Sequence, residues 1–142
     1  MPKKFYAVEL CAGAGGQALG LEQAGFTHAA CVEIDRHAAA TLRLNRPFWN
    51  VIERDMRRWS AKPFEGVDLL TGGLPCPPFS KAGKQLGVKD DRNLFPDTIR
   101  IIDEIRPRAV LIENVRGLLD AVFDDFRNSF QSQLESLGYS QG

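Results

Sequence analysis

The sequence predicts an α/β fold in which helices alternate with the strands of one parallel sheet. Five short apolar runs, each about as long as a buried strand, alternate with segments of helical spacing. A glycine-rich turn follows the first run directly. Three acids and one cysteine stand at or just beyond the ends of the later runs, and ligands of open α/β sheets bind at such strand ends.

Composition limits the class of protein. The 142 residues, 44% hydrophobic and 25% charged, suit one globular domain or part of one. Eighteen basic and eighteen acidic residues give zero formal charge, without the basic excess of many nucleic-acid-binding proteins. Three widely spaced cysteines form neither a disulfide framework nor a zinc pattern, so the sequence predicts no metal site. Because no stretch resembles a membrane span or a signal peptide, we expect a cytoplasmic protein.

The first unit joins a strand, a glycine turn and a helix. Phe5 to Leu10 is apolar enough for a buried strand, and Gln17 to Ala24 suits a helix that Gly25 ends. Between them lies the turn Cys11-Ala12-Gly13-Ala14-Gly15-Gly16. Its spacing is neither a strict G-x-G-x-x-G motif nor a P-loop, because no Gly-Lys-Ser/Thr follows. The turn favours a nucleotide-like ligand, with a purely structural turn as the alternative.

The next two strands also end in acids. His28 to Ile34 predicts a second strand that ends in Glu33, and Arg36 to Leu44 predicts the helix after it. Nucleotide-binding α/β proteins place a carboxylate about twenty residues after the glycine turn, where it binds a ribose hydroxyl. Glu33 is therefore interpreted as facing a ligand, although it could simply cap the helix. A short third strand, Val51 to Glu53, is followed by Asp55.

A proline-rich loop follows the fourth strand, Val67 to Leu70. Prolines at 75, 77 and 78 remove backbone donors and fix φ, so the loop is stiff and cannot be helical. It holds Cys76 beyond the carboxyl end of the strand. A catalytic nucleophile and an incidental thiol both remain open from the loop alone.

The remaining segments continue the alternation. Lys81 to Arg92 lacks periodicity and is interpreted as a lid or binding loop. Ala109 to Ile112 predicts the fifth strand and ends in Glu113-Asn114-Val115. Helical spacing predicts one helix through Leu94, Thr98, Ile101 and Ile105, and a last helix whose apolar stripe is Leu119, Val122, Phe126, Phe130, Leu134 and Leu137.

Right-handed crossovers and a chain reversal after the third strand give the sheet order 3-2-1-4-5. This order makes the glycine turn and the Cys76 loop neighbours and places Glu113 beside the same crevice. A thiol, a carboxyl group and a nucleotide-like cofactor there indicate covalent group transfer to an electron-poor ring.

Three motifs together resemble the cytosine-5 DNA methyltransferase family over nearly the whole chain. They are Glu9-Leu10-Cys11-Ala12-Gly13-x-Gly15-Gly16, Pro75-Cys76-x-x-Phe79-Ser80 and Glu113-Asn114-Val115. The resemblance implies a Rossmann-like S-adenosylmethionine-dependent methyltransferase sheet, with S-adenosylmethionine as methyl donor. It further implies a flipped-out cytosine in double-stranded DNA as acceptor, and a restriction-modification enzyme of bacterial or phage origin.

The resemblance also implies roles for particular residues. Cys76 attacks C6 of cytosine, Glu113 protonates N3, and Asn114 orients the loop; burial of Glu113 is expected to raise its pKa. Glu33 would bind the ribose hydroxyls and Asp55 the adenine amino group. The implied cofactor-binding residues are Cys11, Ala12, Gly13, Gly15, Gly16, Glu33, Ile34, Asp55, Met56, Pro75 and Leu94. The implied DNA-binding residues are Ser80, Lys81, Lys84 and Arg92.

The chain also departs from the family pattern. Pro77 stands where many members have glutamine, and Cys11 replaces a common phenylalanine. The chain stops at Gly142, before the later motifs and the target recognition domain of the family. We therefore expect residues 1–142 to form the amino-terminal part of the catalytic domain, truncated before the last strands or split from a second subunit, and to be inactive alone.

Other interpretations remain open. Cys76-Pro77-Pro78-Phe79 also resembles the Asn/Asp-Pro-Pro-aromatic loop of amino-group DNA methyltransferases, although Glu113-Asn114-Val115 argues against that class. A tRNA cytosine substrate is possible, because one branch of the family acts on tRNA. The chain could also be a non-catalytic remnant that binds a cofactor or a partner.

Overall fold

The structure is a computed structural model that describes residues 1–75 and 92–142. Within these residues one sheet has five parallel strands in the order β3-β2-β1-β4-β5, as the sequence predicts. The strands are β1 (Phe5–Leu10), β2 (Phe26–Glu33), β3 (Val51–Glu53), β4 (Leu69–Gly73) and β5 (Ala109–Glu113).

Helices cover both faces of the sheet. They are α1 (Gly16–Gln23), α2 (Arg36–Asn45), α3 (Phe95–Ile105) and α4 (Asp124–Ser136). The crossovers through α1 and α2 proceed from β1 toward β3, whereas the crossover through α3 proceeds the other way, from β4 to β5. Right-handed connections therefore place α1 and α2 on one face and α3 on the other. No helix within the described ranges is both long enough and apolar enough to cross a membrane.

The core divides between the two faces. Alternate residues of β1 show this, since Val8 and Leu10 pack with Ile101 of α3, whereas Ala7 packs with Leu21 of α1. Such alternation is what a sheet buried on both faces requires. It leaves the carboxyl ends of the strands at one edge, where the acids of the sequence lie.

β4 extends further than the sequence predicts. The predicted strand Val67 to Leu70 ends before the two glycines, but the observed strand includes Gly72 and Gly73. A Cβ atom on Gly72 would lie 3.2 Å from the Leu10 carbonyl oxygen. The glycine therefore permits the close approach of β1 and β4.

The last helix begins later than predicted. Leu119 and Val122 lie in two 3-10 turns before α4 and are exposed, so their placement in its apolar stripe is wrong. Phe123 is buried instead. Phe126 and Phe130 do serve in packing, because both contact the ring of Phe95 edge-on, at centroid distances of 5.0 and 4.8 Å.

Replacing Gly15 with alanine is expected to lower the free energy of unfolding by about 1–3 kcal/mol. Gly15 precedes α1 at φ 104°, and a Cβ atom there would lie 2.8 Å from Leu42 Cδ2. Urea denaturation of Gly15→Ala measures the loss. Gly16→Ala is the matched control, because no atom lies within 4 Å of its added Cβ. Equal losses in both variants would contradict the prediction.

Candidate active site

The glycine turn is tied to the end of the neighbouring strand. Cys11, Gly13 and Gly15 all have positive φ, at 53°, 58° and 104°. The Ala12 amide donates to the Val32 carbonyl oxygen over 3.1 Å. Added Cβ atoms on Gly13 and Gly16 would meet nothing within 4 Å. The turn is therefore held firmly on the side of β2 and is open above these two glycines.

Glu33 connects this turn to the end of β2. Its buried carboxylate accepts hydrogen bonds from the amides of Gly13, at 2.6 Å to Oε2, and Asp35, at 2.8 Å to Oε1. Asp35 is the residue that caps α2, by accepting from the amides of His37 and Ala38. These amide bonds hold the pKa of Asp35 below its usual value. Each oxygen of Glu33 keeps lone-pair capacity for a ligand.

Asp55 lies beyond β3 and pairs with Arg57, one of three neighbouring arginines that the sequence alone indicates to be solvated. The Arg57 guanidinium donates to both Asp55 oxygens, with Nη2 2.8 Å from Oδ2, and the Arg57 amide donates to Oδ1 over 3.0 Å. The hydrogen bonds and charge of Arg57 hold the pKa of Asp55 below its usual value. Helical i, i+4 spacing does not predict the pairing of Asp55 with Arg57, because the two residues lie only two apart in a 3-10 turn.

The Cys11 thiol and the Met56 thioether join the ends of β1 and β3. Cys11 Sγ donates to Met56 Sδ over 3.8 Å, and Met56 is buried. Burial, followed by the charges of Glu33 and Asp55, raises the pKa of Cys11 to about 12. The thiol is therefore neutral at physiological pH. Ile34, which the resemblance also implies as a cofactor-binding residue, is 63% exposed.

Two residues of α3, Arg100 and Glu104, hold the backbone that carries Asp55 and Met56. Sequence reasoning did not identify either of them. Arg100 donates to the carbonyl oxygens of Met56 over 2.8 Å and of Trp59 over 3.1 Å. Glu104 accepts from the Ala61 amide over 2.6 Å and pairs with Arg100 at 2.8 Å. The i, i+4 spacing of Arg100 and Glu104 is a helical pattern that can be seen in the sequence. No sequence pattern predicts their hydrogen bonds to a segment forty residues away.

Glu113 and Asn114 lie at the end of β5. Glu113 is in register with Gly73, and a Cβ on Gly73 would lie 3.3 Å from Glu113 Oε2. The glycine thus leaves room for the carboxylate. The expected burial of Glu113 is wrong, since the residue is exposed at the tip of the edge strand.

Asn114 links β5 to the segment that leaves β4. Its Nδ2 donates to the Leu74 carbonyl oxygen over 3.2 Å, while its Oδ1 accepts from the Val115 amide over 2.9 Å. Both ends of the side-chain amide are thus engaged. Leu74 is two residues before Cys76 in the sequence, so Asn114 fixes the backbone that leads to the cysteine.

The remaining predicted site residues either lie outside the described residues or are placed as follows. Cys76, Ser80, Lys81 and Lys84, with the rest of the predicted loop up to Asp91, lie outside the described residues. Pro75 and Arg92 are exposed, and Ala12 is buried beside Cys31 and Leu42. Leu94, the residue before α3, packs against the hydrophobic core. The structure therefore brings together the ends of β1, β2 and β3 around Glu33, and the ends of β4 and β5 around Asn114.

The sequence matches a known family and its members over most of its length. The family C-5 cytosine-specific DNA methylase matches residues 5–141. The Type II methyltransferase M.NgoMIV of Neisseria gonorrhoeae is 59% identical over 96% of this chain, and M.NaeI of Lentzea aerocolonigenes is 53% identical over 93%. A solved E. coli prophage protein, described as a DNA modification methyltransferase, superposes on 94% of this chain with a TM-score of 0.79 and 29% identity.

These relatives are longer proteins. The chain spans 44% of the M.NgoMIV sequence, 33% of the M.NaeI sequence and 38% of the prophage-encoded chain.

Proposed function

Because the chain belongs to the C-5 cytosine-specific DNA methylase family, we propose that the whole protein transfers a methyl group from S-adenosylmethionine to C5 of cytosine in double-stranded DNA. The observation that carries this proposal is the pair of sites at one sheet edge. Glu33 holds the glycine turn at β1 and β2, and Asn114 holds the chain leaving β4 beside Glu113. A cofactor site thus adjoins a segment that leads directly to a thiol.

The residues around Glu33 fit S-adenosylmethionine. Gly13 and Gly16 leave open space above the turn, where the methionine part would approach the backbone. The buried Glu33 carboxylate offers acceptors for ribose hydroxyls, and Asp55 offers one for an adenine amino group. When bound, S-adenosylmethionine supplies an electrophilic methyl group on a sulfonium sulfur.

Cys76 and Glu113 would act on the cytosine. The Cys76 thiolate adds to C6 while Glu113 donates a proton to N3, so the electron pair of the C5–C6 double bond becomes nucleophilic at C5. After C5 takes the methyl group, water accepts the C5 proton, the Cys76 sulfur departs as thiolate, and N3 returns its proton to Glu113, which restores the neutral ring. The target base must leave the helix for these groups to reach it.

DNA binding would use Ser80, Lys81, Lys84 and Arg92 together with the remainder of the longer protein. The chain has zero formal charge, so it offers little net attraction for the phosphate backbone. We therefore place most phosphate contacts, and the choice of sequence, on the part of the protein beyond this chain. This agrees with the chain spanning less than half of its relatives.

A chimera tests the proposed function. Residues 5–141 of this chain replace the matching segment of M.NgoMIV, and S-adenosylmethionine with a labelled methyl group is supplied with duplex DNA or with tRNA. The expected product is 5-methylcytosine in DNA, identified by mass spectrometry after digestion. Methylation of an exocyclic amino group, or of tRNA instead of DNA, would contradict the proposal. So would a folded chimera that binds the donor but transfers no methyl group.

Replacing Glu113 with glutamine in the chimera is expected to lower kcat by about 10²–10⁴-fold, because the amide cannot transfer a proton to N3. The affinity for S-adenosylmethionine, measured by calorimetry, is expected to stay within about twofold, since Glu113 lies at β5, away from the glycine turn. A variant with unchanged kcat would show that Glu113 is not the proton donor.

Replacing Arg100 with methionine is expected to weaken S-adenosylmethionine binding by about tenfold. The change removes charged hydrogen bonds to the Met56 and Trp59 carbonyl oxygens, each worth about 1.5–3 kcal/mol, and loosens the segment that carries Asp55. Calorimetry on the chain alone measures the affinity. Arg106→Met is the matched control, because Arg106 directly follows α3 and donates to Leu137 and Asp103 rather than to the segment that carries Asp55. Equal affinity in both variants would contradict the prediction.

A further inference from the structure

Three buried residues with metal-binding side chains meet on the face of the sheet that α1 and α2 cover. Glu9 is 1% exposed, His28 7% and Cys31 0%. One ligand atom from each lies within 4.8 Å of the other two. The proposed methyl transfer uses none of these side chains, and the sequence spacing predicts no metal site.

A β-bulge brings the three together. Ala7 pairs with His28 and Val8 pairs with Ala30, so Ala29 is an extra residue in β2. In a regular strand, residues 28 and 31 would point to opposite faces, because they lie three apart. The extra residue places both on one face, and Cys31 is in register with Glu9 of β1.

Three polar atoms of this cluster lack hydrogen bonds within the described residues. Within the described part of the chain, Glu9 Oε2 and both His28 ring nitrogens have no hydrogen-bond partner. His28 Nε2 lies 3.7 Å from Glu9 Oε2, beyond hydrogen-bonding distance. The His28 ring also packs on the Trp49 ring at 4.4 Å, which limits its reorientation. Buried polar groups almost always have a hydrogen-bond partner or bind a ligand. The unpaired atoms of this cluster therefore indicate a ligand between the three side chains.

We propose that Glu9, His28 and Cys31 bind a Zn²⁺ ion. Carboxylate oxygen, imidazole nitrogen and thiolate sulfur are the ligands that Zn²⁺ accepts in proteins. Carboxylate and thiolate together cancel the charge of the ion, which suits a site with no access to solvent. Ligand atoms around one Zn²⁺ lie about 3.3–3.8 Å apart, so the side chains need close by only about 1 Å.

The neighbouring strand contributes a further polar group to the lining of this site. Thr71 of β4 is in register with Glu9, is fully buried, and has a hydroxyl without a hydrogen-bond partner in the described residues. The hydroxyl could hold a water molecule as fourth ligand, as in zinc sites with three protein ligands. Bound at this position, the ion would join β1 to β2 below the glycine turn.

Metal analysis of the chain tests this proposal independently of methyl transfer. The chain is produced without a histidine tag, treated with a chelator, reloaded with Zn²⁺ and desalted, and its zinc content is measured by mass spectrometry. We expect about one ion per chain and a Tm that rises on reloading. A chain that retains no zinc and whose Tm does not respond would overturn the proposal and leave Glu9 and His28 as a buried ion pair.

Cobalt substitution identifies the ligands. The Co²⁺-loaded chain is expected to show a thiolate-to-cobalt charge-transfer band, which persists in the double variant Cys11→Ser/Cys76→Ser because Cys31 is then the only thiol. Cys31→Ser is expected to abolish the band, and His28→Ala to weaken metal binding at least tenfold. His37→Ala is the matched control, because His37 is exposed in α2. A band that survives Cys31→Ser would overturn the assignment, as would equal effects of the two histidine variants.

Discussion

Replacing Cys76 with serine is expected to lower methyl transfer by the M.NgoMIV chimera by more than about 10³-fold. A thiolate both adds to C6 and leaves again, whereas the serine hydroxyl is poorly ionised near neutral pH and its alkoxide is a poor leaving group. This single change removes both the covalent step and its reversal. The initial rate of labelled methyl incorporation into duplex DNA measures the effect.

A mechanism-based trap separates the loss of chemistry from the loss of structure. Duplex DNA with 5-fluorocytosine at the target cannot lose its C5 substituent as a proton, so the unaltered chimera should form a complex that survives denaturation. Cys76→Ser should form none, while its affinity for S-adenosylmethionine stays within about twofold. A denaturation-resistant complex with Cys76→Ser would show that another residue is the nucleophile.

Replacing Glu33 with alanine is expected to weaken S-adenosylmethionine binding to the chain by about 100-fold or more. The carboxylate accepts from the Gly13 and Asp35 amides, at 2.6 and 2.8 Å, and is proposed to accept from the ribose as well. Two ribose hydroxyls donating to this charged carboxylate would contribute about 1.5–3 kcal/mol each, so their loss accounts for a hundredfold or larger effect on affinity. Calorimetry with S-adenosylmethionine or its demethylated product measures it.

Two further variants show whether the effect belongs to the ligand contact. Glu53→Ala is the matched control, because Glu53 also ends a strand but is exposed and pairs with Arg43. Its affinity should stay within about twofold. Glu33→Gln keeps an acceptor for one amide and loses the charge, so its affinity should fall between those of the other two. If Glu33→Ala binds as tightly as Glu53→Ala, Glu33 has only a structural role.

Most of the fold could be predicted from local patterns. Five apolar runs alternating with helical spacing determined the parallel sheet and, with the right-handed crossover rule, its order. The positions of Glu33 and Asp55 at one edge of the sheet could be predicted, because Glu33 ends β2, Asp55 lies just beyond β3, and the ends of parallel strands meet at one edge. The predicted fourth strand ends at Leu70, whereas the observed strand continues through Gly72, which lets β1 and β4 approach each other.

The residues that sequence reasoning missed act across long separations. Arg100 and Glu104 lie in α3, and nothing local predicts that they hold the backbone at Met56 and Ala61. The predicted sheet order already places β5 at the edge, but it does not give the exposure of Glu113 at the end of that strand.

The sequence by itself determined the family motifs, the strand ends and hence the region of the proposed cofactor site, because these follow from short-range periodicity and residue type. Only the tertiary structure decided which polar groups meet. A single extra residue at Ala29 turns His28 and Cys31 to the same face of the sheet, and Glu9 lies on that face beside them. A bulge leaves almost no trace in hydrophobic periodicity, since it depends on how two strands pair rather than on either strand alone.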